Sequence, residues 1–260
     1  MPNRVAFITG ASSGIGYAAA LAFAREGTHV AVIARRAERL EQLEQAITNL
    51  PEPHGEILTL SADVRDGEAV KAAVDVAVTR FGRLDIVVAN AGVGHRGALV
   101  DAAQEDVDTL LRTNIDGVLN AIRAAVPAIR NTGGGHVILI SSVTANMPAP
   151  YMALYAASKA FVSSLAVSLR GELEGDNIWV TDMRVGRTLT EFNEKRLGKS
   201  GRTRMLGPSY MPVERVADAI VRASHRRQRT VTLRLIDRLT LIANNLVPNL
   251  IARVVRSQYK

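Results

Sequence analysis

The sequence predicts a single α/β domain built as a doubly wound parallel sheet with helices on both faces. Three observations carry this reading. Short β-branched runs alternate with longer Ala-rich stretches of helical periodicity. The passages between them are brief, as βαβ units on a parallel sheet require. No internal repeat, linker or low-complexity tract interrupts the pattern before residue 190. At 260 residues, 47% hydrophobic and 22% charged, the chain is long enough for a full core and too apolar for disorder.

Strands are expected at 5–8, 30–33, 57–61, 86–89, 137–141 and 178–183, with helices at 17–26, 39–50 and 68–81 between them. After Gly186 the rhythm breaks. The segment 188–210 holds five basic residues and three glycines and reads as a lid loop on the substrate side. The chain has no cysteine, which removes disulfides, thiolate nucleophiles and cysteine-ligated metals; no metal is expected. Its first residues lack a basic n-region and a long apolar stretch, so a cytoplasmic protein is expected.

Net charge is +7, and its distribution is uneven. Residues 213–260 contain ten Lys and Arg against three Asp and Glu, whereas residues 1–212 hold 22 of each. The excess therefore belongs to the last 48 residues alone.

The run Thr9-Gly10-Ala11-Ser12-Ser13-Gly14-Ile15-Gly16 closes the first strand and opens the first helix. A glycine-rich turn in that place lets backbone approach a pyrophosphate at the positive end of the helix, which is the dinucleotide-binding (Rossmann) arrangement. Gly10, Ser12, Ser13, Gly14, Ile15 and Gly16 are the cofactor-binding candidates there. At the end of the second strand an acidic residue would bind the free ribose diol of NAD. Here Ala34 is followed by Arg35 and Arg36 at the start of a helix, where the macrodipole disfavours cations. Either the pair awaits a 2′-phosphate, which points to NADP(H) over NAD, or it is two solvated surface arginines. Asp63 and Val64, after the third strand, are candidates for the adenine edge.

Tyr155 and Lys159 are four residues apart and share one helix face. An ammonium beside a phenol favours the phenolate, which suits a tyrosine that must exchange a proton near neutrality. Ser142 lies thirteen residues earlier at the end of a strand, where ligands of open α/β sheets bind. Asn90-Ala91-Gly92 closes the fourth strand at the same edge, and Asn114 falls in the next helical region.

These pieces together resemble the short-chain dehydrogenase/reductase family in its single-domain form, over about residues 4 to 190. The TGxxxGxG turn matches Thr9 through Gly16, and the NAG motif matches Asn90, Ala91 and Gly92. The resemblance implies a catalytic set of Asn114, Ser142, Tyr155 and Lys159. Tyr155 would act as general acid/base, Ser142 would hold the carbonyl oxygen, Lys159 would bind the nicotinamide ribose, and Asn114 would hold a water leading to solvent. It also implies a nicotinamide cofactor near Val185, Gly186, Thr188 and Thr190. Val185 stands where the family usually has proline, so this loop is expected to be less rigid. A small carbonyl or alcohol substrate and a homo-oligomer are implied; a dinucleotide-binding sensor or scaffold without turnover is the alternative.

Met147, Pro148, Tyr151, Met152 and Val93 are expected to line the substrate side, and their apolar bias suggests a lipophilic ketone or alcohol. His95 is either a substrate hydrogen-bonder or a solvated loop histidine, and loop exposure favours the second. Lys195, Arg196, Lys199, Arg202 and Arg204 either attract an acidic substrate or form a solvated face, again with the second favoured. In the tail, 230–260, Leu239, Ile242, Leu246, Leu250, Ile251, Val254 and Val255 recur at helical spacing among arginines. Packing against protein is the preferred reading of that stripe, and peripheral contact with an anionic membrane is the other. Nucleic acid is not expected, because Tyr259 alone offers a stacking ring.

Overall fold

Strands buried on both faces need apolar side chains at consecutive positions, and β1 (Val5–Thr9) and β4 (Ile86–Ala89) are buried at every residue. In a computed structural model, which describes residues 3–147, 149–198 and 210–257, they lie at the centre of a parallel sheet. The other strands are β2 (His29–Ala34), β3 (Ile57–Ser61), β5 (Gly135–Ser142), β6 (Ile178–Val185) and β7 (Thr230–Val231). Their spatial order is β3-β2-β1-β4-β5-β6-β7, so the winding reverses between β1 and β4. Pro148, Lys199, Arg202, Arg204 and Tyr259 lie outside the described residues.

The pleat sends alternate side chains to opposite faces, and two cores result. Val5 and Phe7 join α3 (Gly67–Phe81), α5 (Gly117–Asn131) and α6 (Ala153–Glu172) on one face. Ala6 and Ile8 join α1 (Gly14–Arg25), α2 (Ala37–Thr48) and α7 (Val213–Arg226) on the other. Local signals explain the helix ends. At α3, Asp66 accepts hydrogen bonds from the backbone of Glu68 and Ala69, and Gly82 ends the helix in the left-handed region at φ 75°. Between α4 (Gln104–Leu111) and α5, Arg112–Asp116 forms a π-helical turn.

The polar heart of the sheet is Asp182, fully buried on β6. It accepts hydrogen bonds from Ser141 on β5, from Ser163 on α6 at 2.6 Å and from Arg184 at 2.7 Å. One carboxylate thus ties α6 to two strands.

The C-terminal region departs from expectation. The seventh strand has only two residues, because the chain turns into α8 (Leu235–Leu246) just after it. Pro248 begins α9 (Pro248–Ser257), as proline suits the first helical position, where its missing N–H has no bond to lose. Helix α8 rests on the domain through Leu241 and the Arg234–Asp237 pair, and the Asn244 amide donates to the Asn146 carbonyl at 2.9 Å. That orientation turns Leu239, Ile242 and Leu246 outward, at 52%, 55% and 76% exposure, so the preferred packing of the stripe is not seen within one chain. Among the described residues no helix is long and apolar enough to cross a membrane.

Replacing Asp182 by Ala should leave the Arg184 guanidinium and two hydroxyls with unmet hydrogen bonds. The expected loss is about 3 kcal/mol of unfolding free energy by urea denaturation, and a change within about 0.5 kcal/mol would contradict this role.

Candidate active site

The reversal of winding opens a crevice at the carboxyl ends of β1 and β4. The Thr9 hydroxyl accepts the backbone N–H of Asn90 and of Ala91, both at 3.0 Å. The Asn90 amide donates back to the carbonyls of Thr9 at 2.9 Å and Gly10 at 3.2 Å. Only glycines fit this approach: a Cβ on Gly10 would lie 2.8 Å from the Ala91 Cα, and one on Gly16 2.5 Å from the Gly10 carbonyl oxygen.

Helix α1 begins here with its amino end open. Ser13 occupies the N-cap without capping it, and the first turn, containing Gly14 and Ile15, has no acidic residue. The Ser12 and Ser13 hydroxyls instead receive the Arg36 guanidinium, at 2.9 Å from each. An uncapped helix N-terminus beside an arginine and two hydroxyls fits a phosphate-bearing dinucleotide. Arg36 also reaches Glu191 at 3.1 Å, with Arg39 at 3.5 Å and Lys195 at 2.7 Å from the same carboxylate. Lys195 first, then Arg36, hold the Glu191 carboxyl at about 2. Arg35 is exposed nearby.

Asp63 receives the Arg65 guanidinium at 2.6 Å. Burial pushes its pKa up, but hydrogen bonds from Arg65 and the charges of Arg65 and Arg35 outweigh this and hold it below the carboxylate range. Val64 is buried, and its carbonyl accepts the Asn120 amide at 2.9 Å.

At the other end of the crevice α6 presents Tyr155, Ser158 and Lys159. Ser142 ends β5; its oxygen accepts from Thr144 N at 3.2 Å and Thr144 Oγ1 at 2.9 Å, leaving its proton to donate, and it hydrogen-bonds the Tyr155 phenol. Asn114, fully buried in the π-helical turn, donates both amide hydrogens, to Val93 O at 2.9 Å and Ser158 Oγ at 3.0 Å, and accepts from Val93 N at 2.8 Å. Lys159 donates to the Ile140 carbonyl at 2.8 Å, and its Nζ lies 6.0 Å from the Tyr155 ring centre. A Cβ on Gly92 would come within 3.4 Å of that Nζ and 3.2 Å of Asn114 Oδ1, so the NAG turn packs directly on this group.

Residues 4–200 match the family described as short chain dehydrogenase. The chain belongs to the short-chain dehydrogenase family. It is 37% identical over 202 residues to sulfoacetaldehyde reductase 2 of Chromohalobacter salexigens, covering 75% of this chain and 77% of that protein. It is also 37% identical over 192 residues to a glycine betaine reductase of Emericella nidulans, of which it spans only 15%. An alcohol dehydrogenase from the archaeon Thermococcus sibiricus, solved with 5-hydroxy-NADP, superposes with a TM-score of 0.77 at 29% identity, covering 89% of this chain and 96% of that one. Other solved chains of this fold hold NADH or NAD. This short-chain dehydrogenase is therefore an oxidoreductase of CH–OH and C=O groups that uses a nicotinamide nucleotide.

Several expectations need correction. The Tyr155 phenol is pushed above its ordinary value by burial, opposed by the Ser142 hydrogen bond and the charge of Arg196 rather than by Lys159. Lys159 is itself pushed down to about 8 by burial. His95 is not a solvated loop residue: it is 1% exposed, because the backbone on either side bonds to Leu197. Arg196 is half-buried and no part of a solvated face. After Val185, Thr188 pairs with Met211, and the Arg234–Asp237 pair lies against Gly186. Thr190 sits 3.2 Å from the Cβ position of Gly14 and so reaches the phosphate side. Met147 and Met152 are half-buried, and Tyr151 is 43% exposed at φ 59°.

The sequence reading missed Ser158, Glu191 and Phe192, whose ring centre lies 5.7 Å from that of Tyr155. Ser158, three residues after Tyr155 on a helix, was open to detection; the other two become neighbours of the site only on folding.

Folded Lys159 sheds its proton near pH 8, whereas the unfolded chain keeps it to about 10.5. The unfolded state therefore binds more protons in that window, and stability should rise with pH between 8 and 10 at up to about 1.4 kcal/mol per unit. Urea denaturation of wild type and Lys159→Met across that range checks this; equal slopes would contradict it.

Proposed function

We propose that the chain is an NADP(H)-dependent oxidoreductase of a carbonyl or secondary alcohol, with Tyr155 as general acid/base. The convergence of Tyr155, Ser142, Lys159 and Asn114 beside an uncapped helix N-terminus carries the reading. Nicotinamide, when bound, supplies or accepts the hydride.

In reduction Tyr155 gives its proton to the substrate oxygen, and in oxidation it removes the hydroxyl proton. Ser142 has its oxygen filled by Thr144 and donates to the same substrate oxygen as charge develops there. Lys159 would hold the ribose hydroxyls and return a proton toward the phenol; at about 8 its pKa suits that exchange near neutrality. Asn114 has both amide hydrogens committed and positions Val93 and Ser158, so any water held there meets an oxygen of Asn114. Gly10 through Gly16, Asn90, Ala91, Thr188 and Thr190 would frame the dinucleotide, and Asp63 and Val64 would hold the adenine edge.

Arg36 supports the preference for NADP(H) over NAD: it sits on Ser12 and Ser13 at the amino end of α1, with Arg35 exposed beside it. Met147, Tyr151, Met152 and Phe192 give the substrate side an apolar lining. Tyr155→Phe should lower NADPH-dependent turnover of a ketone panel by about a hundredfold or more, and undiminished turnover would overturn the assignment. Arg36→Ala should cost about tenfold in kcat/KM with NADPH and little with NADH. Tight NADPH binding without turnover on any carbonyl would favour the sensor or scaffold reading.

The proposed setting is cytoplasmic, as a homo-oligomer, with the outward stripe of the tail covered by a second subunit or, as the other reading, meeting an anionic membrane surface. The outward stripe of α8, with Leu250 and Val254 on α9 and exposed Arg238 and Arg253, supports that contact. Co-sedimentation with phosphatidylglycerol vesicles at low salt should be lost in Leu239→Ser/Ile242→Ser; absence of wild-type binding would end this reading.

A further inference from the structure

Arg196 is the one basic residue of the described lid that turns inward. Leu197 donates its N–H to the Gly94 carbonyl at 2.8 Å and accepts from Arg96 N at 2.9 Å, which pins the chain beside the NAG turn. A Cβ on Gly94 would lie 3.0 Å from both the Arg196 Cγ and the Phe192 ring, and that ring packs on Tyr155. Arg196 thus stands next to the phenol at which a substrate oxygen is expected.

Its charge is unbalanced. The side chain bonds Asn193 through one nitrogen, its buried Nε has no partner, and among the described residues no carboxylate pairs with it. Burial lowers its pKa, and Arg96 and Arg187 lie close enough to lower it further, opposed only by the phenols of Tyr210 and Tyr155. Of the two acidic residues in the described lid, Glu191 is taken by Arg36, Arg39 and Lys195, and Glu194 is exposed. His95, on the segment that pairs with Leu197, is 1% exposed, with no hydrogen-bond partner at either ring nitrogen among the described residues, and its Nε2 would lie 2.7 Å from a Cβ on Gly198. Buried polar groups are rarely left unmet, and a half-buried cation with no carboxylate beside it favours an anion.

We propose that the substrate carries an anionic group, a carboxylate or a chemically similar sulfonate or phosphate, close to the reacting carbonyl, and that Arg196 with His95 receives it. This rests on the reductase reading and narrows it: the substrate is an oxo acid whose carbonyl oxygen lies at Tyr155 and Ser142. An apolar remainder of such a substrate meets Met147, Tyr151 and Met152. A guanidinium matches a carboxylate with two parallel hydrogen bonds, which gives both affinity and orientation.

The test compares short- and medium-chain 2-oxo and 3-oxo acids with their neutral amides, using NADPH and NADH. Wild type should prefer the acid by about tenfold or more in kcat/KM, chiefly through KM. Arg196→Met should bring that ratio close to one, Arg196→Lys should keep part of it, and His95→Phe should lower it. A wild-type ratio of one or less across the series, or an unchanged ratio in Arg196→Met, would overturn the proposal and leave the reductase reading standing. If no carbonyl is turned over, the reductase reading fails. Calorimetric titration of the Tyr155→Phe protein with NADP⁺ bound then decides the anion site alone: tighter binding of acid than amide supports it, and equal binding refutes it.

Discussion

Everything at the carboxyl edge of this sheet depends on how closely β1 and β4 are held where the winding reverses. Thr9 accepts two successive backbone N–H groups from the β4 end, and Asn90 returns two hydrogen bonds to the β1 end. That reciprocal set leaves no room for a Cβ at Gly10 or Gly16. Because the strands cannot part further, the crevice has a fixed floor. The amino end of α1 enters from one side and the NAG turn from the other.

The buried groups at the chemical end form one connected structure. Asp182 anchors α6 to β5 and β6, and α6 carries Tyr155, Ser158 and Lys159 as a rigid face. Asn114 links that face to the NAG turn through Ser158 and Val93. A π-helical turn at 112–116 allows this, since it places a side chain from the junction of two helices inside the crevice. Burial, more than any partner, sets the protonation of Tyr155 and Lys159, pushing one up and the other down.

Charge is sorted by position rather than by total. Residues 1–212 are neutral, and two arginines within them differ sharply in their partners. Arg36 sits on Ser12 and Ser13 at the amino end of α1 and shares Glu191 with Arg39 and Lys195. Arg196 lies near the Tyr155 phenol and shares no carboxylate among the described residues. The formal excess of +7 lies elsewhere, in residues 213–260, which end in the tail whose apolar stripe turns outward.

The strand and helix pattern, the glycine turn and the positions of Asn90, Asn114, Ser142, Tyr155 and Lys159 were legible because each rests on local periodicity or short fixed spacing. A helix puts Tyr155 and Lys159 on one face wherever it lies, and a glycine turn after a first strand means the same thing in any such sheet. What spacing does not convey is which distant segments meet and which way a side chain turns. Glu191 meets Arg36 across 155 residues of sequence, the burial of His95 follows from its pairing with Leu197, and the stripe on α8 faces outward because Leu241 and the Arg234–Asp237 pair take the inner side. The sequence by itself therefore determined the fold class and which short motifs reach the carboxyl edge of the sheet, whereas only the tertiary structure decided the pairing of the charges. A charge takes its meaning from burial and counter-ions, and both are created by contacts between segments far apart in the chain.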